Sequence, residues 1–231
     1  MLTVGSLFAG IGGMELGLER AGMQVRWQVE IDPFCQRVLA KHWPDVPRYG
    51  DVRDVGTHNL EPVEVICGGF PCTEISHAGR RAGIHGGQSG LWSEFERIVR
   101  ELRPRYVLVE NSSSLVVRGA GTILGGLAQL GYDTEWDCLP AAFVGAHHLR
   151  ARQWILAYSG GVGHRAPEET VFAGRDCPEL RGGWPAEPGV GRVANGIPNR
   201  VDRLRALGNA VVPQVAEWIG RRILEAERSQ T

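Results

Sequence analysis

The sequence is poor in lysine, has no paired cysteines and contains no long apolar run. Of its 25 lysine and arginine residues only Lys41 is a lysine, and the formal net charge is -1. A charge this close to zero does not indicate a polyanionic partner, although arginine offers a planar fork suited to phosphates and base edges. No stretch approaches the roughly 18 uninterrupted apolar residues of a transmembrane helix. Because the N-terminus also lacks signal-peptide anatomy, we expect a cytoplasmic protein.

The cysteines are scattered and odd in number, which argues against a zinc knuckle or a disulfide framework. They are Cys35, Cys67, Cys72, Cys138 and Cys177. Hydrophobic residues make up 43% of the chain and charged residues 22%, values that exclude disorder or a coiled coil as the main state. The pair His147-His148 has no third ligand at a suitable spacing, so we expect no metal site.

Apolar runs and helical spacings alternate over the first 158 residues. The predicted strands are Thr3–Phe8, Gln24–Ile31, Val63–Cys67, Tyr106–Val109, Tyr132–Leu139 and Gln153–Tyr158. The predicted helices are Met14–Ala21, Pro33–His42, Leu91–Leu102, Ile123–Leu130 and, after a long gap, Pro213–Glu227. This alternation predicts an α/β fold with an open, doubly wound and largely parallel sheet. Residues 159–200 are rich in Gly, Pro and Arg and show no periodicity, so we expect loops or a very small irregular subdomain there.

Glycines and acidic residues follow successive predicted strands. The first strand leads into Phe8-Ala9-Gly10-Ile11-Gly12-Gly13, where glycines let a backbone turn approach a ligand closely, although the spacing departs from the dinucleotide GxGxxG pattern. Glu30 ends the second strand, where a carboxylate commonly binds ribose hydroxyls, and Asp51 follows a third segment. Each acid alone is equally well explained as a surface charge or a helix cap. Together they indicate a cofactor that contains an adenosine.

A thiol and a carboxyl group follow two neighbouring strands. Cys72 lies in a Gly/Pro loop directly after a buried strand, and Glu110 ends the next strand. Most lone cysteines are structural, but the prolyl turn and the position at a strand end favour an exposed thiol here. The two residues have the chemistry of a covalent nucleophile beside a proton donor.

Two arginines precede the last predicted strand of the sheet. Arg150 and Arg152 alternate in a strand-like run, so their side chains would point the same way. Two guanidinium groups aimed at one place suit contact with a phosphate or a base edge, and a solvated sheet edge is the equally weighted alternative.

Seven sequence blocks occur in the order found in DNA cytosine-5 methyltransferases. They are Phe8-Ala9-Gly10-x-Gly12-Gly13, Glu30-x-Asp32, Gly50-Asp51, Gly69-Phe70-Pro71-Cys72, Glu110-Asn111, Arg150-x-Arg152 and Leu207-Gly208-Asn209-Ala210-Val211-Val212-Pro213. The chain resembles this family over roughly residues 2–158 and 202–224, and its closing segment looks most like the compact forms of phages and prophages. The resemblance implies a Rossmann-like, S-adenosylmethionine-dependent methyltransferase sheet flanked by helices, with a minimal target-recognition segment.

The resemblance also implies roles for individual residues in binding S-adenosylmethionine. Phe8 would stack on the adenine, and Gly10 and Gly12 would line the methionine portion. Glu30 would hold the ribose hydroxyls and Asp51 the adenine amino group. The residues implied to complete the pocket are Leu91, Asn209 and Ala210.

The implied reaction is methyl transfer to C5 of cytosine in double-stranded DNA. Cys72 would attack C6 of a cytosine flipped out of the duplex, because the ring carbon cannot be reached inside the stack. Glu110 would act at ring N3, and Arg152 would hold the cytosine oxygen. The residues implied to contact DNA are Ser76, His148 and Arg150. We expect a monomer in a bacterial or phage-infected host cell; a restriction endonuclease partner cannot be inferred from this sequence.

We expect three parts in the chain. Residues 1–158 would form the catalytic and cofactor-binding domain, 159–200 the small target-recognition segment, and 201–231 a C-terminal motif and helix that pack back on the catalytic domain. Because the recognition segment is short, we expect a short target sequence or relaxed specificity.

Three other functions fit parts of the sequence. An RNA cytosine-5 methyltransferase would use the same fold and chemistry, as in the transfer-RNA-acting branch of the family, but residues 193–213 argue against it. A catalytically decayed nucleic-acid-binding homologue is less consistent with the intact Cys72 and Glu110. A nicotinamide-dependent oxidoreductase fails on the glycine spacing and gives Cys72 no role.

Overall fold

The computed structural model describes residues 1–71, 90–113, 115, 119–159, 170–173 and 199–229. The strands in these ranges are β1 (Thr3–Leu7), β2 (Gln24–Val29), β3 (Arg48–Tyr49), β4 (Val65–Gly68), β5 (Tyr106–Ser112), β6 (Tyr132–Leu139) and β7 (Arg152–Ser159). The α-helices are α1 (Gly13–Ala21), α2 (Pro33–His42), α3 (Gly90–Leu102), α4 (Ala120–Gln129), α5 (Arg200–Asn209) and α6 (Pro213–Ser229). Short 3-10 turns cover Val52–Asp54 and Ala141–Val144.

All seven strands form one mixed sheet, in the order β3-β2-β1-β4-β5-β7-β6. Strands β1 to β5 pair in parallel, whereas β7 runs antiparallel to both β5 and β6. The chain crosses from β3 to β4, on the other side of β1, so the loops after β1 and β4 diverge. Ligands of open α/β sheets bind at the carboxyl ends of strands where the order reverses in this way.

Helices cover both faces of the sheet, as the alternation of apolar patterns predicts. On one face α3 and α4 bury Phe95, Ile98 and Ile123 against the sheet. On the other face α1 and α6 contribute Leu18 and Ile219 to a second core. Because each face is covered, the central strands β1, β4 and β5 are buried along nearly their whole length rather than at alternate positions.

Glycines allow α6 to lie directly against α1. A Cβ on Gly17 would lie 2.3 Å from the carbonyl oxygen of Pro213, and one on Gly220 would lie 2.8 Å from the Cβ of Ala21. At its far end α6 is tied to the sheet, since the Tyr106 hydroxyl donates to Glu227 at 2.5 Å. The C-terminal helix therefore runs beside the helix that follows the first strand.

Three features were not predicted as regular or core structure. Strand β3 has two residues, too few for an apolar period, and α5 has only Ala206 buried. Residues 170–173, inside the predicted recognition segment, pack on β6 instead of standing apart from the sheet domain. Glu135 accepts the backbone N–H groups of Val171 and Phe172 at 3.0 and 3.1 Å, and both of these side chains are buried. None of the helices in the described ranges is long and apolar enough to cross a membrane.

Candidate cofactor and catalytic site

Most of the predicted site residues lie along the carboxyl edge of the parallel strands. Asp51 follows β3, Glu30 follows β2 and Phe8 follows β1. Glu110 lies near the end of β5, and Arg152 begins the antiparallel β7 beside it. The sheet order therefore separates the edge into a half with the cofactor-type residues on β3, β2 and β1, and a half with the acid and the cation on β5 and β7.

The glycine-rich turn after β1 has an unusual backbone. Phe8, Gly10 and Gly12 have positive φ angles of 56°, 57° and 85°. For the non-glycine Phe8 this conformation costs on the order of 1 to 3 kcal/mol, and such strain clusters at functional sites. A Cβ on Gly10 would meet no atom of the described residues within 4 Å, so among them space lies in front of this residue, whereas one on Gly12 would collide with the Trp43 ring. Gly10 thus borders an opening, and Gly12 is required for packing.

Glu30, directly after β2, binds the backbone of the glycine-rich turn that follows β1. Its Oε2 accepts the Gly10 N–H at 2.7 Å, and its Oε1 accepts the Asp32 N–H, also at 2.7 Å. Asp32 in turn caps α2 by accepting the N–H groups of Phe34 and Cys35. A carboxylate has about four acceptor sites, so Glu30 retains lone pairs for the hydroxyls of a ribose. The same carboxylate can therefore fix the turn and hold the sugar.

Asp51 is held by a cation that the sequence reasoning did not single out. The Arg53 side chain donates to both carboxylate oxygens, and the Arg53 N–H donates to Oδ1 at 3.0 Å. These bonds lower the pKa of Asp51. A charged acceptor in a fixed position suits the predicted bond to an adenine amino group. The pairing of Asp51 with Arg53 could have been predicted from the sequence, since the two residues are only two positions apart.

Phe8 and Leu91 border one apolar cluster and are both only partly buried. The Phe8 ring stacks on Phe95 with centroids 6.5 Å apart. Leu91 lies in the first turn of α3, the helix that carries Phe95. Part of each side chain stays accessible, which fits an adenine ring between them.

The closing motif reaches the same turn. A Cβ on Gly13 would lie 2.5 Å from the carbonyl oxygen of Val211, so the backbone after α5 lies directly against the glycine-rich turn. Ala210, one residue earlier, is half-buried, and Asn209 at the end of α5 is exposed. Asn209 and Ala210, the two predicted pocket residues, therefore directly precede the residue that contacts the glycine-rich turn.

On the other half of the edge, Glu110 and Arg152 form an ion pair. Arg152 Nε lies 3.0 Å from Glu110 Oε1, and Glu110 is only 8% exposed. Burial raises the pKa of Glu110 to about 7, although Arg152 and Arg150 act in the opposite direction. At neutral pH the carboxyl group therefore exists in both protonation states, as a proton donor requires.

Gly69 is a site residue that the sequence reasoning did not assign. A Cβ at this position would lie 2.8 Å from Glu110 Oε2 and 3.2 Å from the Glu110 carbonyl oxygen. The backbone before Cys72 can reach the buried carboxyl group only because position 69 lacks a side chain. The available signal was the glycine pair at the end of β4, since a close approach of backbone requires glycine.

The remaining predicted site residues are placed less directly. Cys72 and Ser76 lie outside the described residues. His148 is exposed in the turn before β7. Arg150 does not extend away from the protein: its Nη2 donates to the carbonyl oxygens of Gly208 and Ala210 at 2.8 and 2.6 Å.

Glu15 is a buried acid directly after the glycine-rich turn. It is fully buried in α1, and within the described part of the chain neither carboxylate oxygen has a hydrogen-bond partner. Burial raises its pKa to about 7. Ser6 and Gln28, neighbours in register on β1 and β2, also bury side-chain polar atoms without partners. In the same described ranges, no group of three or more His, Cys, Asp or Glu residues could hold a metal ion.

Comparison with known proteins agrees with this geometry. The family model of C-5 cytosine-specific DNA methylases matches residues 2–173. The chain is 35% identical over 169 residues to the type II methyltransferase M.CviJI of Paramecium bursaria Chlorella virus IL3A; this match covers 72% of this chain and 45% of that protein. The chain is 31% identical over 186 residues to the type II methyltransferase M.AquIA of Picosynechococcus sp.; this match covers 71% of this chain and 75% of that protein. The chain therefore spans less than half the length of M.CviJI.

A solved structure shares the fold. A prophage-encoded protein of Escherichia coli, described as a DNA modification methyltransferase, superposes with a TM-score of 0.60 at 26% identity, over 72% of this chain and 49% of that one. The similarity and the sheet order confirm the predicted Rossmann-like methyltransferase fold. Because the family model matches well over half of the sequence, the chain belongs to the C-5 cytosine-specific DNA methylase family.

Proposed function

We propose that the protein transfers a methyl group from S-adenosylmethionine to C5 of cytosine in double-stranded DNA. The observation that carries this proposal is the buried Glu110, which is paired with Arg152 and placed against Gly69 on the same sheet edge as the glycine-rich turn. Membership of the DNA methylase family favours DNA over RNA as the substrate. The type II names of M.CviJI and M.AquIA support a role in a restriction-modification system.

The residues on the β1 and β2 half fit the cofactor. The opening in front of Gly10, the anchored Glu30 carboxylate and the partly exposed Phe8 ring suit the methionine, ribose and adenine portions in turn. When bound, S-adenosylmethionine supplies an electrophilic methyl group on a sulfonium. The role of the chain here is to hold that group at the boundary between the two halves of the edge.

The residues on the other half of the edge, formed by β4, β5 and β7, would activate the cytosine. Cys72, three residues after Gly69, would add as a thiolate to C6, while Glu110 gives a proton to N3 and Arg152 holds the cytosine oxygen. The displaced electron pair makes C5 nucleophilic, and C5 would take the methyl group as the carbon–sulfur bond of the sulfonium breaks and leaves a neutral thioether. N3 would then return its proton to Glu110, and water or another base would remove the C5 proton as the Cys72 thiolate leaves and the C5–C6 double bond re-forms. The roles require a soft nucleophile, an acid that can hold a proton near pH 7 and a cation.

The test is methyl transfer from labelled S-adenosylmethionine to duplex DNA and to bulk tRNA. Wild type should form 5-methylcytosine in DNA and Cys72→Ala should not. Cys138→Ala should behave as wild type, because Cys138 lies on the edge strand β6 and is paired with Gln153 rather than with Glu110 or Arg152. Transfer to tRNA alone would replace DNA by RNA as the substrate. No transfer to either, with the cofactor still bound, would indicate a decayed homologue.

A further inference from the structure

Arg150 connects two distant parts of the chain. One nitrogen of its guanidinium donates to the carbonyl oxygens of Gly208 and Ala210, at 2.8 and 2.6 Å. The backbone at Arg150 has a φ of 29°, a left-handed value that is uncommon for a side chain of this size. Charge-assisted hydrogen bonds are stronger than neutral ones, so these contacts hold a locally strained backbone. One nitrogen of this guanidinium is therefore committed to the backbone of the protein itself.

The helix that Arg150 contacts buries few of its own side chains. Of the ten residues of α5 only Ala206 is buried, while Val201, Leu204 and Leu207 are 73%, 45% and 50% exposed. A ten-residue helix is too short to be stable without tertiary contacts. One ion pair from α5 to the sheet domain, between Arg205 and Asp32, is 3.9 Å long with Arg205 73% exposed, so it contributes little.

The end of α5 matters because it leads into the cofactor side of the site. Ala210 directly precedes Val211, whose carbonyl oxygen lies against Gly13 of the glycine-rich turn. On its other side, Arg150 is two residues before Arg152, the partner of Glu110. One side chain therefore joins the segment that completes the cofactor pocket to the strand that carries the catalytic cation.

We infer that Arg150 is a positioning residue for cofactor binding: by holding Gly208 and Ala210 it fixes the closing segment over the glycine-rich turn. This inference rests on the proposed function and replaces the predicted DNA contact of Arg150. A phosphate ligand and a positioning residue differ in what they control. The first affects DNA affinity and its salt dependence, and the second affects cofactor affinity when no DNA is present.

The test compares equilibrium binding of S-adenosylmethionine, without DNA, by wild type, Arg150→Lys and Arg150→Ala. Loss of both charge-assisted hydrogen bonds predicts cofactor binding weaker by at least about tenfold in Arg150→Ala, with Arg150→Lys in between because its ammonium can keep one of the two carbonyl partners. Arg205→Gln is the matched control on α5 and should bind as wild type does. The salt dependence of DNA binding should be the same in all four proteins, because none of them loses a phosphate contact. Unchanged cofactor affinity with a smaller salt slope in Arg150→Ala would overturn the inference.

A second measurement separates this inference from the proposed function. Backbone hydrogen exchange of residues 207–211 in the cofactor-free protein should be faster in Arg150→Ala than in wild type and unchanged in Arg205→Gln. This result is expected even if the wild-type protein binds no S-adenosylmethionine, in which case the proposed function fails alone. Identical exchange in Arg150→Ala and wild type would show that Arg150 does not hold the segment.

Discussion

Replacing Glu15 by glutamine should stabilise the protein at alkaline pH. Burial raises the pKa of this carboxyl group from its ordinary value of 4.5 to about 7. Below pH 4.5 both the folded and the unfolded chain hold the proton, so the residue has no effect on the pH dependence. Between these values the unfolded chain releases the proton and the folded chain keeps it, so the free energy of unfolding falls as the pH rises. Above pH 7 the difference is complete and amounts to about 3 kcal/mol.

Urea unfolding, followed by tryptophan fluorescence between pH 5 and pH 8, measures this effect. The chain has seven tryptophans, and several of them lie in the two cores. Glu110 titrates in the same range and contributes with the same sign, so the informative quantity is the difference between the wild-type and Glu15→Gln curves. That difference should grow from pH 5 to pH 8 and approach about 3 kcal/mol. Met14→Leu, a volume-conserving change on the same helix that removes no titratable group, is the control and should leave the slope unchanged. Parallel curves for wild type and Glu15→Gln would refute the reasoning.

Three further outcomes follow from the site. The value of kcat/KM should fall above pH 7, because Glu110 must carry a proton to donate it. In Arg152→Gln this fall should occur at higher pH, since the Arg152 guanidinium lowers the pKa of Glu110. Gly69→Ala should reduce kcat by about a hundredfold, because the new Cβ displaces the Glu110 carboxyl group, with cofactor affinity preserved. Glu30→Gln should weaken cofactor binding by about tenfold in a calorimetric titration, because the amide cannot accept both the Gly10 and the Asp32 N–H groups.

Two of these outcomes have a matched control variant. Gly121→Ala adds a Cβ that meets no atom of the described residues within 4 Å and should retain full activity. Glu61→Gln breaks a surface ion pair with Arg26 and should leave cofactor affinity unchanged. A flat pH profile between 6 and 9 would exclude Glu110 as the proton donor, and full activity of Gly69→Ala would show that the carboxyl group is not positioned by close contact with residue 69.

The sheet and its helices were predictable because their signals are local. Apolar runs mark β4, the first half of β5 and the middle of β7, and apolar residues spaced among polar ones mark β2 and β6. A proline with a preceding capping aspartate marks the start of α2. Strand β3 and helix α5 carry no such signal, since one is two residues long and the other buries only Ala206.

The positions of Glu30 and Glu110 at the sheet edge were predictable for the same reason, whereas contacts across the chain were not. Glu30 directly follows β2, Glu110 lies near the end of β5, and the glycine-rich loop follows β1. Asp51 follows the two-residue β3, whose strand end the sequence did not predict. The bonds from Arg150 to Gly208 and Ala210 span 58 and 60 residues, and the alternation of Arg150 with Arg152 suggested a shared direction instead. The anchoring of residues 170–173 by Glu135 is also a long-range contact without a sequence pattern.

That anchoring fixes both sides of the stretch between residues 173 and 199. The Arg222 guanidinium donates to the carbonyl oxygens of Val171 and Ala173 while Glu135 accepts the N–H groups of the same turn, so residues 170–173 are held on the sheet domain. The chain is held again at the end of α5, where Arg150 contacts Gly208 and Ala210. Because both attachment points belong to the sheet domain, we expect that replacing the residues between 173 and 199 leaves the Glu110–Arg152 pair and the glycine-rich turn in place. If residues 159–200 recognise the target as predicted, exchanging this stretch between relatives should alter the sequence preference of the proposed methyltransferase.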